Sequence, residues 1–149
     1  MPHTGRIDES LHGQEKLLMR ARLHVEGSMQ RFSEGETEDA IAAMYDAISS
    51  AMQRYTYPNV SQKSLTVYDG EALSDDTVLF RVLKRSNILD DSVDESDFDY
   101  LCSTLDEALE FQLKSFDIDR FLRLSENLLT QMGVIARNEL PLQLGPINQ

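Results

Sequence analysis

The stretch GETEDAIAAMYDAISSAMQRY, residues 35–55, decides the fold of this chain. From Ile41 to Tyr55 its apolar residues recur every three or four positions, a spacing that places them on one face of a helix. The members of this face are Ile41, Met44, Tyr45, Ile48, Ala51, Met52 and Tyr55. The pattern predicts an amphipathic helix over residues 37–55 that buries this face in a core.

Within this helix, a tyrosine is followed directly by an aspartate, a pair that could be taken for a chemical site. Adjacent helix positions point about 100° apart, so Tyr45 and Asp46 do not share a face. Tyr45 falls among the apolar residues and Asp46 does not. We therefore expect Tyr45 to be a core residue whose hydroxyl finds a partner at the edge of the bundle, and Asp46 to be solvated.

A second amphipathic segment precedes this one, over residues 14–33. Its apolar residues recur at helical spacing and are Leu18, Ala21, Val25, Met29 and Phe32. Gly35 then interrupts the pattern and predicts the end of the first helix. Two helices joined by such a short connection are expected to form an antiparallel hairpin.

The chain that follows the hairpin predicts a long loop and a third helix. Residues 56–73 contain Pro58 and Gly70 and lose the helical period, which predicts a crossover loop. Ser74, with acidic residues directly after it, is typical of a helix start and predicts a third helix that continues to about residue 86.

Two further helices are predicted in the second half of the chain. The fourth is expected to begin at Asp97 with Ser96 and Asp99 as a capping box, and its apolar stripe extends to Phe116. The fifth is expected over residues 118–138, ended by Pro141. Its broad apolar face predicts a central position in the bundle.

These elements predict an all-α protein, a four- to five-helix up-down bundle with an N-terminal antiparallel helical hairpin. We expect a single helical-bundle domain over residues 14–138, with the crossover loop inside it. Residues 1–13 are predicted to be a flexible N-terminus, and residues 139–149 a C-terminal tail.

Composition restricts the classes of function. A chain of 149 residues is typical of one domain, and 14 basic against 26 acidic residues give a formal net charge of -12. This balance opposes nucleic-acid binding, which needs Lys and Arg to neutralise phosphates. No stretch is long and apolar enough to predict a membrane span. The single cysteine, Cys102, and the lack of a secretory signal pattern favour a cytoplasmic location.

Motifs of catalysis and metal binding are missing. An EF-hand loop begun at Asp90 would place Glu95 where the turn requires Gly, and Leu101 where chelation requires Glu. The three histidines all lie within the first 24 residues, and neither a zinc motif nor a phosphate-binding Gly-rich loop occurs. Cys102 lies on an apolar stripe, where a small buried side chain is expected. We therefore predict no metal, no cofactor and no catalytic residue.

One family resemblance is carried by the hairpin and by the third helix. The segment RARLHVEGSMQRFSEGETEDAIAAMYDAISSAM, residues 20–52, resembles the first two helices of HEPN-like (higher eukaryote and prokaryote nucleotide-binding) domains, with the A-I-x-x-x-Y-x-A pattern at residues 40–47. The segment VLFRVLKRSNILDD, residues 78–91, is similar to the third-helix region of that family. Ribonuclease members place a His shortly after an Arg on a late helix, and no His follows position 24 here. The resemblance therefore implies a helical domain that lacks the ribonuclease centre.

Three functions stay open at this stage. The leading hypothesis is a non-enzymatic interaction domain that binds a protein partner or itself, with a column of mostly small residues as the interface. Packing of this column inside the same bundle is the alternative; its members are Ala43, Ala47, Ser50 and Arg54. The second hypothesis is a small-ligand or nucleotide-binding module beside the crossover loop. Its candidate residues are Arg54, Tyr55, Tyr57, Lys63 and Tyr68. The third is an acid–base enzyme that uses only carboxylates and tyrosine.

Overall fold

The computed structural model describes residues 13–58, 60, 64–114, 116–139 and 141–142. Within these ranges the chain forms five α-helices and one 3-10 turn, without a strand, and the prediction of an all-α bundle is confirmed. The helices are α1 (Gly13–Ser33), α2 (Thr37–Arg54), α3 (Asp76–Arg85), α4 (Glu95–Leu109) and α5 (Ile118–Gln131), and the 3-10 turn is Arg137–Glu139. The predictions for residues 1–12 and 143–149 lie outside the described residues.

The predicted hairpin is confirmed, and Gly35 ends α1 as expected. Gly35 has φ +78°, and the amide of Glu36 donates to the carbonyl of Arg31 at 2.9 Å, the hydrogen bond that closes a Schellman motif. The buried hydroxyl of Ser28 donates to the carbonyl of Ala40 at 2.6 Å. This bond fixes α1 to the first turn of α2.

The central helix of the bundle is α2, which contacts each of the other four helices. The prediction that the fifth helix occupies the centre is therefore wrong. Small side chains line one part of α2 and permit close approach of its neighbours, while large apolar side chains fill the rest of its surface. The buried residues of α2 are Ala40, Ile41, Ala43, Met44, Ala47, Ile48, Ser50, Ala51 and Met52.

The described part of the predicted crossover loop contains neither a helix nor a strand. It is held against α3 by Arg85, whose guanidinium donates to both carboxylate oxygens of Glu71 at 2.7 and 2.8 Å and to the carbonyl of Thr66 at 2.9 Å. The amide of Thr66 in turn donates to the hydroxyl of Ser86 at 2.8 Å. These contacts give the second half of the loop a fixed position on α3.

The starts of α3 and α4 differ slightly from the sequence-based expectation. The cap of α3 is Asp75, whose carboxylate accepts from the amide of Thr77 at 2.9 Å, rather than Ser74. The capping box of α4 is formed by Asp94 and Asp97, so that this helix begins two residues before the predicted Asp97. In both cases the side chain that caps the helix is an aspartate, where we predicted a serine.

The ends of α4 and α5 were both predicted too late. Gly133 has φ +75°, and the amide of Val134 donates to the carbonyl of Leu129 at 2.9 Å, so α5 ends at Gln131 rather than near Asn138. Helix α4 ends at Leu109, because Phe111 has φ +53° and the amide of Gln112 donates to the carbonyl of Glu107 at 2.8 Å. The apolar stripe predicted to run to Phe116 therefore leaves the helix at this turn.

Candidate functional site

Tyr45 and Asp46 point to different neighbours, as predicted, but only Tyr45 behaves as expected. The half-buried Tyr45 hydroxyl donates to Asp76 Oδ2 at 3.0 Å, which confirms a partner at the edge of the bundle. Asp46 is not simply solvated, because its carboxylate accepts from Arg20 Nε at 2.9 Å and lies 3.0 Å from Nε2 of the buried His24. Asp46 thus joins α2 to α1 through charge, a contact that one helix alone does not reveal.

A cluster of polar groups surrounds the Tyr45 hydroxyl between α2, α3 and α4. Cys102 Sγ lies 3.7 Å from this hydroxyl, and Gln53 Nε2 donates to Asp76 Oδ1 at 3.3 Å. Burial raises the pKa of the Tyr45 hydroxyl far above its ordinary value, with the charge of Asp76 acting in the same direction. Burial also raises the pKa of the Cys102 thiol. The contacts of the Tyr45 hydroxyl with Asp76 and Cys102 join α2 to α3 and α4.

The candidate ligand residues around the crossover loop contact three different parts of the molecule. Arg54 donates to the carbonyl of Met132 at 3.3 Å, at the end of α5, and its guanidinium lies 5.3 Å from the ring centre of Tyr55. Tyr57 packs against Gly13, at the start of α1. Tyr68 lies beneath the guanidinium of Arg85 at 3.8 Å.

These contacts give Arg54 and Tyr68 structural partners of their own. Arg54 supplies positive charge to the carbonyl end of α5, where the helix dipole favours it. The Tyr68 ring is already covered on one face by Arg85. Lys63 lies outside the described residues. The hypothesis of a ligand pocket beside the loop stays a prediction.

The predicted interface column is not on the surface. Ala43 and Ala47 are fully buried, and Ser50 is only 5% exposed, so the chain itself covers them. Arg54 is half-buried and contacts the end of α5. Ala43, Ala47 and Ser50 therefore pack within the bundle, which is the alternative we had left open, and the interface assignment of these three residues is wrong. The physical reason is that small residues favour close helix packing whether the second helix belongs to the same chain or to another.

A different surface exposes large apolar side chains, at the C-terminal end of α4. Leu109 is 61% exposed and Phe111 is 74% exposed, the two highest values among the large hydrophobic residues that the structure describes. We call this pair the α4 apolar turn. Water contact with two such side chains is unfavourable, so the turn contributes little to the stability of the isolated chain.

The backbone at Phe111 makes the arrangement more unusual. A residue with φ +53° at this place in a Schellman motif is ordinarily Gly or Asn, because a Cβ in the left-handed region costs about 1–2 kcal/mol. Gly35 and Gly133 occupy the equivalent position after α1 and α5, and Asn87 occupies it after α3. Among the left-handed residues that follow these four helices, only Phe111 has a bulky side chain, and it projects into solvent.

Charged residues around the α4 apolar turn are mostly acidic. Asp106, Glu107 and Glu110 lie within the last turns of α4, and Lys114 follows the turn. The backbone amide of Lys114 donates to Glu107 Oε1 at 3.2 Å, which holds the chain close to the helix after Phe111. The apolar pair is therefore framed by net negative charge.

Sequence reasoning missed this turn because it assigned Leu109 to the buried stripe of a longer helix. A signal was present in EALEFQLKSF, residues 107–116, where Glu110 and Gln112 flank Phe111 and break the helical period. No glycine marks the helix end, so the ordinary cue for a C-terminal cap was lacking.

No protein-family model, curated protein or solved structure matches this chain. The resemblance to HEPN-like domains therefore stays a prediction. Among the residues that the structure describes, no three His, Cys, Asp or Glu side chains are grouped closely enough to hold a metal ion. No helix in the described ranges combines the length and the apolar character that crossing a membrane requires.

Proposed function

We propose that this protein is a non-enzymatic helical interaction domain that binds a protein partner through the α4 apolar turn. Phe111 and Leu109 enter an apolar pocket of the partner and lose their contact with water. The single observation that carries the proposal is the 74% exposure of Phe111 on a backbone with φ +53°. Phe111 has two unfavourable features, a left-handed backbone and an aromatic ring exposed to water. A contact with another molecule explains why both are present.

The surrounding charge favours a partner of a different kind over a second copy of this chain. Asp106 and Glu110 would face their own equivalents across a twofold axis, and like charges at an interface are repulsive. A pocket with a basic rim complements them instead. The proposed partner is therefore a protein that presents an apolar pocket with Lys or Arg around it.

Two expectations from the sequence belong to this proposal. Descent from HEPN-like domains rests on the hairpin resemblance, and a cytoplasmic location rests on the single cysteine. The use of the domain as an accessory subunit is consistent with both.

Photo-crosslinking from position 111 tests the proposal. A benzophenone amino acid at position 111 keeps an aromatic ring in place of Phe111, and the same amino acid in place of Tyr68, which is 59% exposed, is the matched control. In native lysate we expect one dominant product from position 111 that is missing from position 68. Adding Leu109→Ser should reduce the yield of this product several-fold, and higher salt should reduce it further because the rim is charged.

The products of this experiment separate the occupants of the turn. A crosslinked protein whose site, mapped by mass spectrometry, is apolar and surrounded by Lys or Arg supports the proposal. A product of twice the mass of this chain would identify a second copy as the occupant and contradict it. Equal labelling from positions 111 and 68 would show that the α4 apolar turn has no special affinity.

A further inference from the structure

A second feature of the molecule concerns its arginines. Nearly all the arginines that the structure describes contact a carboxylate, a backbone carbonyl or another group of the chain. The engaged arginines are Arg20, Arg22, Arg31, Arg54, Arg81, Arg85 and Arg120. Arg123 and Arg137 have no hydrogen bond or ion pair with any described residue, and both line one cleft of about 330 Å³.

The cleft is formed when the chain turns back over α5. Arg123, Asn127 and Thr130 are spaced by four and three residues, so they share one face of α5. Arg137 lies in the 3-10 turn, which Gly133 directs back towards that face. Both arginines thus line the same cleft, one from α5 and the other from the 3-10 turn.

Two carboxylates also line the cleft, and one oxygen of each accepts hydrogen bonds from groups other than the two arginines. Asp90 accepts from the amide of Ser92 at 2.9 Å and from Gln131 Nε2 at 3.1 Å, and the bonds from Ser92 lower the pKa of Asp90. Glu126 accepts from the amide of Leu142. Neither carboxylate is within ion-pair distance of a cleft arginine, and both Arg123 and Arg137 are exposed to solvent.

Thr130 also lines the cleft, although its hydroxyl oxygen is itself closed to solvent. Thr130 Oγ1 is buried and has no hydrogen-bond partner among the described residues. A buried hydroxyl without a partner carries a desolvation penalty that a bound acceptor would remove. Two guanidinium groups and one hydroxyl together match the oxygens of a tetrahedral anion, because arginine binds such oxygens in a bidentate manner.

We propose that this cleft binds a small phosphate-type oxyanion through Arg123 and Arg137, with the Thr130 hydroxyl as a third donor. A volume of about 330 Å³ is at the lower end of the range for small-molecule sites and accommodates a phosphate group with its nearest substituent. The net charge of -12 repels extended polyanions, so the ligand is a small molecule rather than a nucleic acid. The site is separate from the α4 apolar turn and does not depend on the proposed protein partner.

Inorganic phosphate is the probe that tests this site in the full-length chain. Amide chemical shifts are followed during a phosphate titration in which chloride keeps the ionic strength constant. The variants are Arg123→Gln and Arg137→Gln, and the matched control is Arg81→Gln, which replaces an exposed arginine of α3 that pairs with Glu95 at the start of α4. Melting temperature and far-ultraviolet circular dichroism establish that each variant is folded.

We expect saturable shifts in the millimolar range for the wild type, centred on the residues of the cleft. Each cleft variant should weaken the affinity about tenfold or more, Arg81→Gln should leave it unchanged, and Thr130→Val should weaken it by a smaller factor. Shifts that do not saturate, or that decrease equally in all three arginine variants, would indicate non-specific association and overturn the proposal. Loss in only one of the two cleft variants would exclude the paired-arginine site.

Discussion

The conformation of Phe111 gives the sharpest test of the structure. We consider two replacements, Phe111→Ala and Phe111→Gly, and compare the free energy of unfolding of these variants with each other. Both remove the aromatic ring, so whatever the ring contributes cancels in the comparison. The remaining difference reports the backbone at residue 111.

The expected magnitude follows from the left-handed conformation. A Cβ at φ +53° costs about 1–2 kcal/mol, and glycine avoids this cost. Glycine also has more freedom in the unfolded chain, which opposes it by about 0.4–1 kcal/mol. The Gly variant should therefore be more stable than the Ala variant by about 1 kcal/mol.

Ser103 provides the matched control, because it is exposed and lies inside α4. In a helix interior glycine is less stable than alanine by about 1 kcal/mol, so Ser103→Gly should be less stable than Ser103→Ala. The sign of the Gly–Ala difference thus reverses between positions 103 and 111. Urea denaturation followed by far-ultraviolet circular dichroism measures all four variants. If Gly is less stable than Ala at both positions, residue 111 does not adopt the left-handed conformation and the strain argument fails.

Three further substitutions test the contacts and backbone conformations described above. Tyr45→Phe removes the hydroxyl that donates to Asp76 and should lower the free energy of unfolding by about 1 kcal/mol. An unchanged midpoint of urea denaturation would contradict this hydrogen bond. Gly133→Ala should lower the free energy of unfolding by about 1 kcal/mol, measured in thermal melts, because an alanine is strained at φ +75°. No atom lies close enough to clash with the added Cβ, so the loss reports the backbone alone. A variant as stable as the wild type would show that α5 does not end at this turn. The hydrogen bond from Arg85 lowers the pKa of Glu71 from 4.5 to about 2, so its carboxylate contributes stability that is present above pH 4.5 and is lost as the pH falls towards 2. Glu71→Gln should therefore show a shallower loss of stability over this interval than the wild type when denaturation midpoints are measured against pH, and parallel curves would argue against the ion pair.

Much of the fold follows from local sequence patterns. The helical periods of residues 14–33 and 37–55 and the glycine at position 35 predicted α1, α2 and the hairpin, because amphipathic spacing and a helix-ending glycine are both local signals. The starts of α3 and α4 were predicted to within two residues, since clusters of serine and acidic residues at a helix start are also local signals, although the capping residues themselves are aspartates rather than the predicted serines. The partner of the Tyr45 hydroxyl was expected at the edge of the bundle, and Asp76 occupies that place.

The candidate surfaces were harder to predict, because exposure depends on what covers a side chain. The apolar spacing that includes Leu109 is the same whether a neighbouring helix is present or not, and the structure leaves Leu109 61% exposed. Ala47 shows the opposite error, since a small residue that we assigned to an intermolecular contact is fully buried within the chain. Asp46 was expected in solvent, but α1 brings Arg20 and His24 to it.

By itself, the sequence determined an all-α chain, its opening hairpin, and the acidic character that opposes nucleic-acid binding, because these properties depend on composition and on neighbours within one or two helical turns. Only the tertiary structure decided that α2 is central and that Arg137 approaches Arg123. Had α5 continued to residue 138, these two arginines would be separated by about 21 Å along its axis. The turn at Gly133 brings them to one cleft instead. The direction taken after such a turn is set by packing against the rest of the bundle, which no local pattern encodes.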